Sequence, residues 1–231
     1  MSQTYFDFLE AFKQKSCPIC LLIKKSIHKL MDSFLYESVN DYKIREEINK
    51  SLGYCSLHSW QLQKFMDGLG LSIIYENLLD VLVGKIKRST NHKKNNTQYL
   101  LLRELLGDKT RKSYTENTKV TCPTCRHQKD IERIYITSFI EYFNNSTFKE
   151  NFRTSFGLCL PHFIATIKLC DDKTVAEELS KIEVEQLESL KQELIEFQRK
   201  NDYRFSDEGF GEERDSWIRA VKKMVGEEGI F

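Results

Sequence analysis

The chain has 231 residues, 40% of them hydrophobic and 30% charged, and a formal net charge of +1. That balance gives no general case for nucleic-acid or acidic-membrane binding, and no apolar run approaches the roughly 18–20 residues that span a bilayer. The stretch Met1 to Phe12 carries Asp7 and Glu10 and lacks a basic segment leading into an apolar core, so a secretory signal is excluded and a cytoplasmic location is expected.

Only three prolines occur, Pro18, Pro123 and Pro161, and all lie inside cysteine motifs, which leaves the rest of the chain open to helix. Phe6, Leu9 and Phe12 predict a short amphipathic helix. From Pro18 to about Val39, Leu22, Ile23, Ile27, Leu30, Met31, Phe34 and Leu35 recur at helical spacing. Asp41–Lys50 reads as a shorter helix that Gly53 stops, since glycine tolerates a left-handed backbone. A long helix then starts near Cys55, carries Trp60, Leu62, Phe65, Met66 and Leu69, and continues through Ile74, Leu78 and Leu82 with a kink at Gly68 and Gly70. Residues 85–96 read as a polar linker, 98–106 as a short apolar helix and 107–119 as a second linker. After a region ending at Cys170, itself expected to be a buried hydrophobe, Thr174–Lys200 reads as a long Glu-rich helix with Leu187, Leu190, Leu194 and Phe197 as its stripe. Residues 201–212 read as loose. Ser216–Val225 reads as a last helix docking through Trp217, Val221, Met224 and Val225, capped by Gly226. No alternating hairpin pattern is present, and the fold class is all-α.

Six of the seven cysteines fall into a pattern that occurs twice. Cys17-Pro18-Ile19-Cys20 is followed by Gly53-Tyr54-Cys55-Ser56-Leu57-His58. Cys122-Pro123-Thr124-Cys125 is followed by Gly157-Leu158-Cys159-Leu160-Pro161-His162. Cys17 and Cys122 stand 105 positions apart, and Cys55 and Cys159 stand 104 apart. In that register Glu37 meets Glu141, Asn40 meets Asn144, Glu46 meets Glu150, Ser51 meets Ser155 and Arg45 meets Lys149. We read an internal duplication of a unit of about 60 residues with an insertion between the copies. The chain divides accordingly into a first unit (1–84), a linker region with a short helix (85–119), a second unit (120–173) and the two C-terminal helices (174–231).

Each copy supplies three sulfurs and an imidazole, a full tetrahedral shell for zinc. The candidate ligands are Cys17, Cys20, Cys55, His58, Cys122, Cys125, Cys159 and His162. Spacing of i, i+3 puts each pair on one helical turn, and a helix N-terminus favours thiolate over thiol. Two helix N-termini can thus converge on one ion. A closed shell leaves no position for substrate water, so a structural ion is the expected role. Each copy carries its own four ligands, which points to self-contained sites. Two Zn²⁺ ions are favoured over iron–sulfur clusters, which normally take four cysteines although histidine can replace one. The absence of glycine after the second cysteine, where Leu21 and Arg126 stand, departs from ordinary zinc knuckles. No CxxCH is present, which excludes covalent haem. Buried cysteines with satisfied histidines and reversible dithiol chemistry are the competing readings.

Glu37, Asn40, Glu46 and their counterparts either hydrogen-bond the ligand histidines or line a polar pocket, or are solvated or capping positions on a repeated helical corner, the reading that is favoured. His28, His92 and His127 have no place in the pattern and read as surface or satisfied histidines. The basic run Lys85–Lys94 reads as a solvated loop. There is no phosphate-binding glycine loop, no GxSxG and no HExxH, and a Cys55–His58 nucleophile pair is at odds with the further cysteines in each copy.

The combination of CPIC at 17–20, YESVND at 36–41, GYCSLHSW at 53–60, CPTC at 122–125, GLCLPHF at 157–163 and DSWIRAV at 215–221 resembles an uncharacterised family of prokaryotic proteins, a conserved domain of unknown function. The similarity covers residues 5–231. It implies a bacterial or archaeal cytoplasmic protein and no reaction. The expected function is a metal-binding helical module with a protein or nucleic-acid partner, with homodimerisation through the C-terminal helices. The alternative is an iron–sulfur redox protein or a component of a redox enzyme.

Overall fold

Four helix starts among the described residues are set by short polar side chains. Ser2 accepts the Tyr5 amide at 3.4 Å, Asp41 those of Lys43 and Ile44, Asn145 that of Phe148, and Asp172 those of Thr174 and Val175. Each such cap is worth about 1 kcal/mol. The structure, a computed structural model, describes residues 2–91 and 122–231. Among the described residues all regular structure is helical: α1 (Gln3–Phe12), α2 (Pro18–Ser33), α3 (Tyr42–Lys50), α4 (Ser56–Gln63), α5 (Gly68–Asn91), α6 (Pro123–Phe143), α7 (Ser146–Arg153), α8 (Leu160–Leu169), α9 (Lys173–Lys200) and α10 (Ser216–Val225). A π-helical turn, Phe34–Ser38, prolongs α2, and two 3₁₀ turns precede α10. None of these helices is long and apolar enough to cross a membrane.

The residues form two compact units, one of 1–26 with 130–231 and one of 27–129. These units cut across the division at 84, 119 and 173 that the motif spacing suggests. One unit takes its residues from both ends of the chain, because its helices are tied by contacts far apart in sequence. Its core is aromatic: Phe8, Phe139, Phe143, Phe148 and Phe152 are fully buried, with Phe12 against Phe148 at 4.9 Å between ring centres. Edge-to-face contacts of this kind add about 0.5–1.5 kcal/mol per pair beyond burial. The other unit buries Ile27, Met31, Phe34, Ile48, Leu62, Ile74 and Leu78.

Several elements differ from their sequence reading, each for a local reason. Helix α1 faces inward through Tyr5, Phe8 and Phe12, which join the aromatic core, while Phe6 is 49% exposed. The helix expected from Cys55 through Leu82 is broken rather than kinked. Met66 takes a left-handed backbone, and Asp67 accepts the Gly70 amide at 2.9 Å to start α5 afresh. Trp60, Met66 and Leu69 are exposed as a result. Residues 85–91, read as linker, continue α5, where Arg88 Nε donates to the Gly84 carbonyl. Lys and Arg are good helix formers, and a polar run does not distinguish a loop from a solvated helix. The short helix at 98–106 and the linkers at 92–96 and 107–119 lie outside the described residues. Helix α9 buries Val175, Leu179, Ile182 and Leu190, whereas Leu187 is exposed.

Of the two expected docking surfaces for α10, the body of the protein or a second copy, the first is not used by its apolar row. Trp217, Val221, Met224 and Val225 are all more than half exposed, whereas Ser216 and Lys223 are buried. What docks instead is polar and lies largely beyond the helix. Gly226 ends α10 with a left-handed backbone, Glu227 accepts a 2.6 Å hydrogen bond from the Ser16 hydroxyl, and Ile230 is buried.

Candidate metal centres

The eight cysteine and histidine side chains gather into two clusters, but not copy by copy. Cys17 and Cys20 meet Cys159 and His162; Cys55 and His58 meet Cys122 and Cys125. The expectation of self-contained sites is thereby corrected: each CPxC takes its partners from the other copy's GxCxxH. Helix geometry supplies the reason. After Cys17 the chain runs through sixteen α-helical residues and five in the π turn before reversing into a helix of nine. After Cys122 it runs through twenty-one before reversing into a helix of eight. At about 1.5 Å per residue the return helix recovers less than half the outward distance. The return helix alone thus leaves each GxCxxH short of the CPxC that precedes it, and each motif pairs instead with the other copy.

Every ligand pair opens a helix. The carbonyls of Cys17 and Cys122 accept the first helical hydrogen bonds, from Leu21 and Arg126 at 3.1 Å, and Cys55 and Cys159 are the N-cap residues of α4 and α8. The first cluster thus joins the starts of α2 and α8, and the second those of α4 and α6. Their partial positive charge faces the sulfurs. In the first cluster His162 Nδ1 lies 3.5, 3.3 and 3.2 Å from the sulfurs of Cys17, Cys20 and Cys159, and the Cys20 and Cys159 sulfurs are 3.7 Å apart. In the second, His58 Nδ1 lies 3.2, 3.7 and 3.3 Å from those of Cys55, Cys122 and Cys125, and the Cys55 and Cys125 sulfurs are 3.5 Å apart.

The acidity of the thiols fits a cation at each centre. Burial pushes Cys17 up, but hydrogen bonds from Cys159, Cys20 and His162 outweigh it and bring the thiol well below its usual range. Cys20 and Cys159 are raised, chiefly by their hydrogen-bonded neighbours Cys159 and Cys17 respectively. In the second cluster the hydrogen bond with Cys122 lowers Cys55, and the same contact raises Cys122 to about 11; burial raises Cys125. In each cluster one thiol is thus favoured as thiolate and its neighbours are disfavoured. A divalent ion held by the four donors would offset the repulsion between neighbouring sulfurs and allow all three to bind as thiolates.

The outward nitrogen of each histidine faces α6. His58 Nε2 donates to the Gln128 side-chain oxygen at 3.1 Å. His162 Nε2 is fully buried, makes no hydrogen bond of normal geometry, and has Glu132 Oε1 at 3.4 Å. The repeated polar residues follow the solvated reading rather than the supporting one. Glu37, Asn40, Glu46, Glu141, Asn144 and Glu150 are all exposed, and Glu46 pairs with Lys50 on its own helix. Gln128 and Glu132 were legible as the positions one and two turns beyond Cys125 on a single helix face.

A buried ion pair supports the first cluster from behind. Lys223 and Glu183, 3% and 4% exposed, meet at 2.5 Å. Lys223 Nζ donates to the Phe156 carbonyl at 2.9 Å, and Glu183 accepts the Leu158 amide at 3.1 Å. Both hold the peptide that leads into Cys159. Gly157 lies between them with φ +81°, and a Cβ there would stand 2.7 Å from Lys223 Nζ. Gly157→Ala is therefore expected to destabilise the protein by about 1–3 kcal/mol in chemical denaturation, the usual cost of a left-handed non-glycine residue held in place. Phe231 covers the cluster, its ring 5.0 Å from that of His162.

The remaining residues take ordinary roles. Cys170 is half-buried at the end of α8, with its thiol 3.3 Å from the Asp172 carbonyl, rather than sealed in the core. His28 stacks on Phe65 at 4.7 Å, His127 is half-buried, and His92 lies outside the described residues.

An all-helical chain that brings together two Cys₃His clusters is, by fold and site, of a kind suited to metal binding. The chain belongs to the family of unknown function DUF6062, whose model matches residues 5–229. It is 30% identical over 220 residues to an uncharacterized 23.9 kDa protein in the xynA 3' region of Caldicellulosiruptor sp. (strain Rt8B.4), an alignment covering 94% of this chain and 98% of that one. No solved structure matches. The family resemblance and its prokaryotic setting drawn from the motifs are thus correct.

Proposed function

We propose that the protein holds two Zn²⁺ ions as structural centres and acts as a non-enzymatic interaction module. The carrying observation is the spacing of the donor atoms. Zinc bonds of about 2.3 Å to sulfur and about 2.0–2.1 Å to nitrogen, arranged tetrahedrally, put sulfurs about 3.8 Å apart and sulfur and nitrogen about 3.5 Å apart. One sulfur pair in each cluster, Cys20–Cys159 and Cys55–Cys125, stands at 3.7 and 3.5 Å, and the six sulfur–nitrogen distances are 3.2–3.7 Å. All four donors of each cluster lie within 4.8 Å of one another. An iron–sulfur cluster inserts several irons and bridging sulfides between its ligands and spreads them further, so the spacing favours a single ion.

The ions would be held by Cys17, Cys20, Cys159 and His162 and by Cys55, His58, Cys122 and Cys125. Each would supply cross-linking of helix starts rather than a reaction, since four protein ligands fill a tetrahedral shell. A reducing compartment such as the cytoplasm would keep the six thiols available. The outward apolar row of α10, Trp217, Val221, Met224 and Val225, supports a protein partner over a nucleic acid, which the near-neutral charge also disfavours.

Elemental analysis and a visible spectrum of anaerobically purified protein test this reading. Two zinc ions per chain and a colourless solution are expected. Cobalt substitution should produce the intense visible bands of tetrahedral thiolate coordination. Brown protein with iron and sulfide in stoichiometric amounts would replace this reading with the redox one.

A further inference from the structure

The two centres are not equivalent, and the difference lies in how each is sealed and what stands behind its histidine. In the first, Cys17, Cys20, Cys159 and His162 are each no more than 1% exposed. In the second, Cys55 and Cys125 are half-buried, with their sulfurs 3.5 Å apart. Behind His162 stands a carboxylate, Glu132, at 3.4 Å; behind His58 stands a neutral amide, Gln128, at 3.1 Å. A carboxylate facing the distal N–H makes an imidazole a stronger donor to a metal through its charge; a hydrogen-bonded amide fixes the ring with less effect on its basicity. Removal of a metal also proceeds through attack by an incoming ligand, which requires a path to the ion. Both factors act in the same direction.

We infer that the centre of Cys55, His58, Cys122 and Cys125 is an exchangeable zinc site, from which chelators or competing thiols take the ion first, and that Glu132 is a positioning residue that makes the buried centre the retentive one. This rests on the proposed binding of two ions. In such a protein one ion maintains the fold, and the other reports or donates zinc according to the competing ligands around it. No bond other than metal–ligand bonds changes: three thiolates and a neutral imidazole release Zn²⁺ to the competitor and take up protons from solvent.

The test is the time course of zinc release from fully loaded protein to the chromophoric chelator 4-(2-pyridylazo)resorcinol. Two phases of equal amplitude are expected. The fast phase should be missing in Cys55→Ser and the slow phase missing in Cys17→Ser. Glu132→Gln, which keeps the side-chain shape, should accelerate the slow phase about 10–100-fold, the usual effect of losing a partner behind a metal-bound histidine, and leave the fast phase alone. Gln128→Glu should slow the fast phase. In the cobalt-loaded protein, Glu132→Gln should shift the visible bands of one ion only, which loosened packing elsewhere would not do. A metal content below two ions per chain would overturn the parent reading. Two ions leaving at one rate, the buried ion leaving first, or a slow phase unmoved by Glu132→Gln would overturn this inference alone.

Discussion

The double variant Cys17→Ser with Cys159→Ser should lose one metal ion per chain, and Cys17→Ser with Cys55→Ser should lose both. The first pair removes two ligands from a single cluster; the second removes one from each. If the motifs paired in chain order, each result would invert, because Cys17 and Cys55 would then share an ion. Metal content by elemental analysis separates the two arrangements without any need for a known activity. The stability effects should be large as well. Structural zinc contributes roughly 10–16 kcal/mol of apparent binding free energy in small zinc-dependent peptides. The aromatic core of Phe8, Phe139, Phe148 and Phe152 is independent of the ligands and should leave some residual structure in the unit that loses its ion. Thermal unfolding of the Cys17–Cys159 double variant should resemble that of either single variant, since the ion is already gone or weakly held once one ligand is missing.

Lys223→Ala should cost about 3–5 kcal/mol, the usual penalty for leaving one member of a buried pair uncompensated. Glu183 would remain buried with the Leu158 amide and no cation. Its carboxyl is already raised in the intact protein because burial outweighs the attraction of Lys223, and loss of the lysine raises it further. A carboxyl whose folded pKa lies above its unfolded value binds a proton more tightly in the folded state. Its contribution to stability is therefore present at low pH and lost as pH rises from the unfolded pKa, about 4.3, through the folded one. The deficit of the variant should be smaller near about pH 5 than near about pH 8, as measured by urea denaturation at the two pH values. Pairing Lys223→Met with Glu183→Gln should recover part of the loss, since neither replacement leaves a buried charge.

Both effects concern residues that the sequence reveals unequally. The eight clustered side chains stood out because cysteine and histidine at i, i+3 beside proline or glycine serve few purposes. The helices stood out because apolar residues recur every three or four positions. What pairs with what did not, since periodicity describes a face and says nothing about which distant segment meets it. The exchange of partners between motifs came from the unequal lengths of α2 and α3, and of α6 and α7, which can be read only once the helix ends are known. Lys223 and Glu183 were hidden because a buried cation on a strongly amphipathic helix looks like part of its wet side. Trp217, Val221, Met224 and Val225 drew attention to the side of α10 that does not face its own chain. Glu37 and Glu141 drew attention by recurring in register, whereas Gln128 and Glu132 have no such symmetry, each serving a different histidine from one helix.

The two clusters are nested along the chain. Cys55 and Cys125, 70 positions apart, lie inside the span closed by Cys20 and Cys159, 139 positions apart. During synthesis the inner ring can close as soon as Cys125 has left the ribosome, while the amino-terminal Cys17 and Cys20 must wait for His162. Doubling a loop adds only about 0.6 kcal/mol of closure entropy, so the delay is one of time rather than of energy. A nascent chain that has reached only His58 holds three thiols and an imidazole in a combination that neither cluster uses.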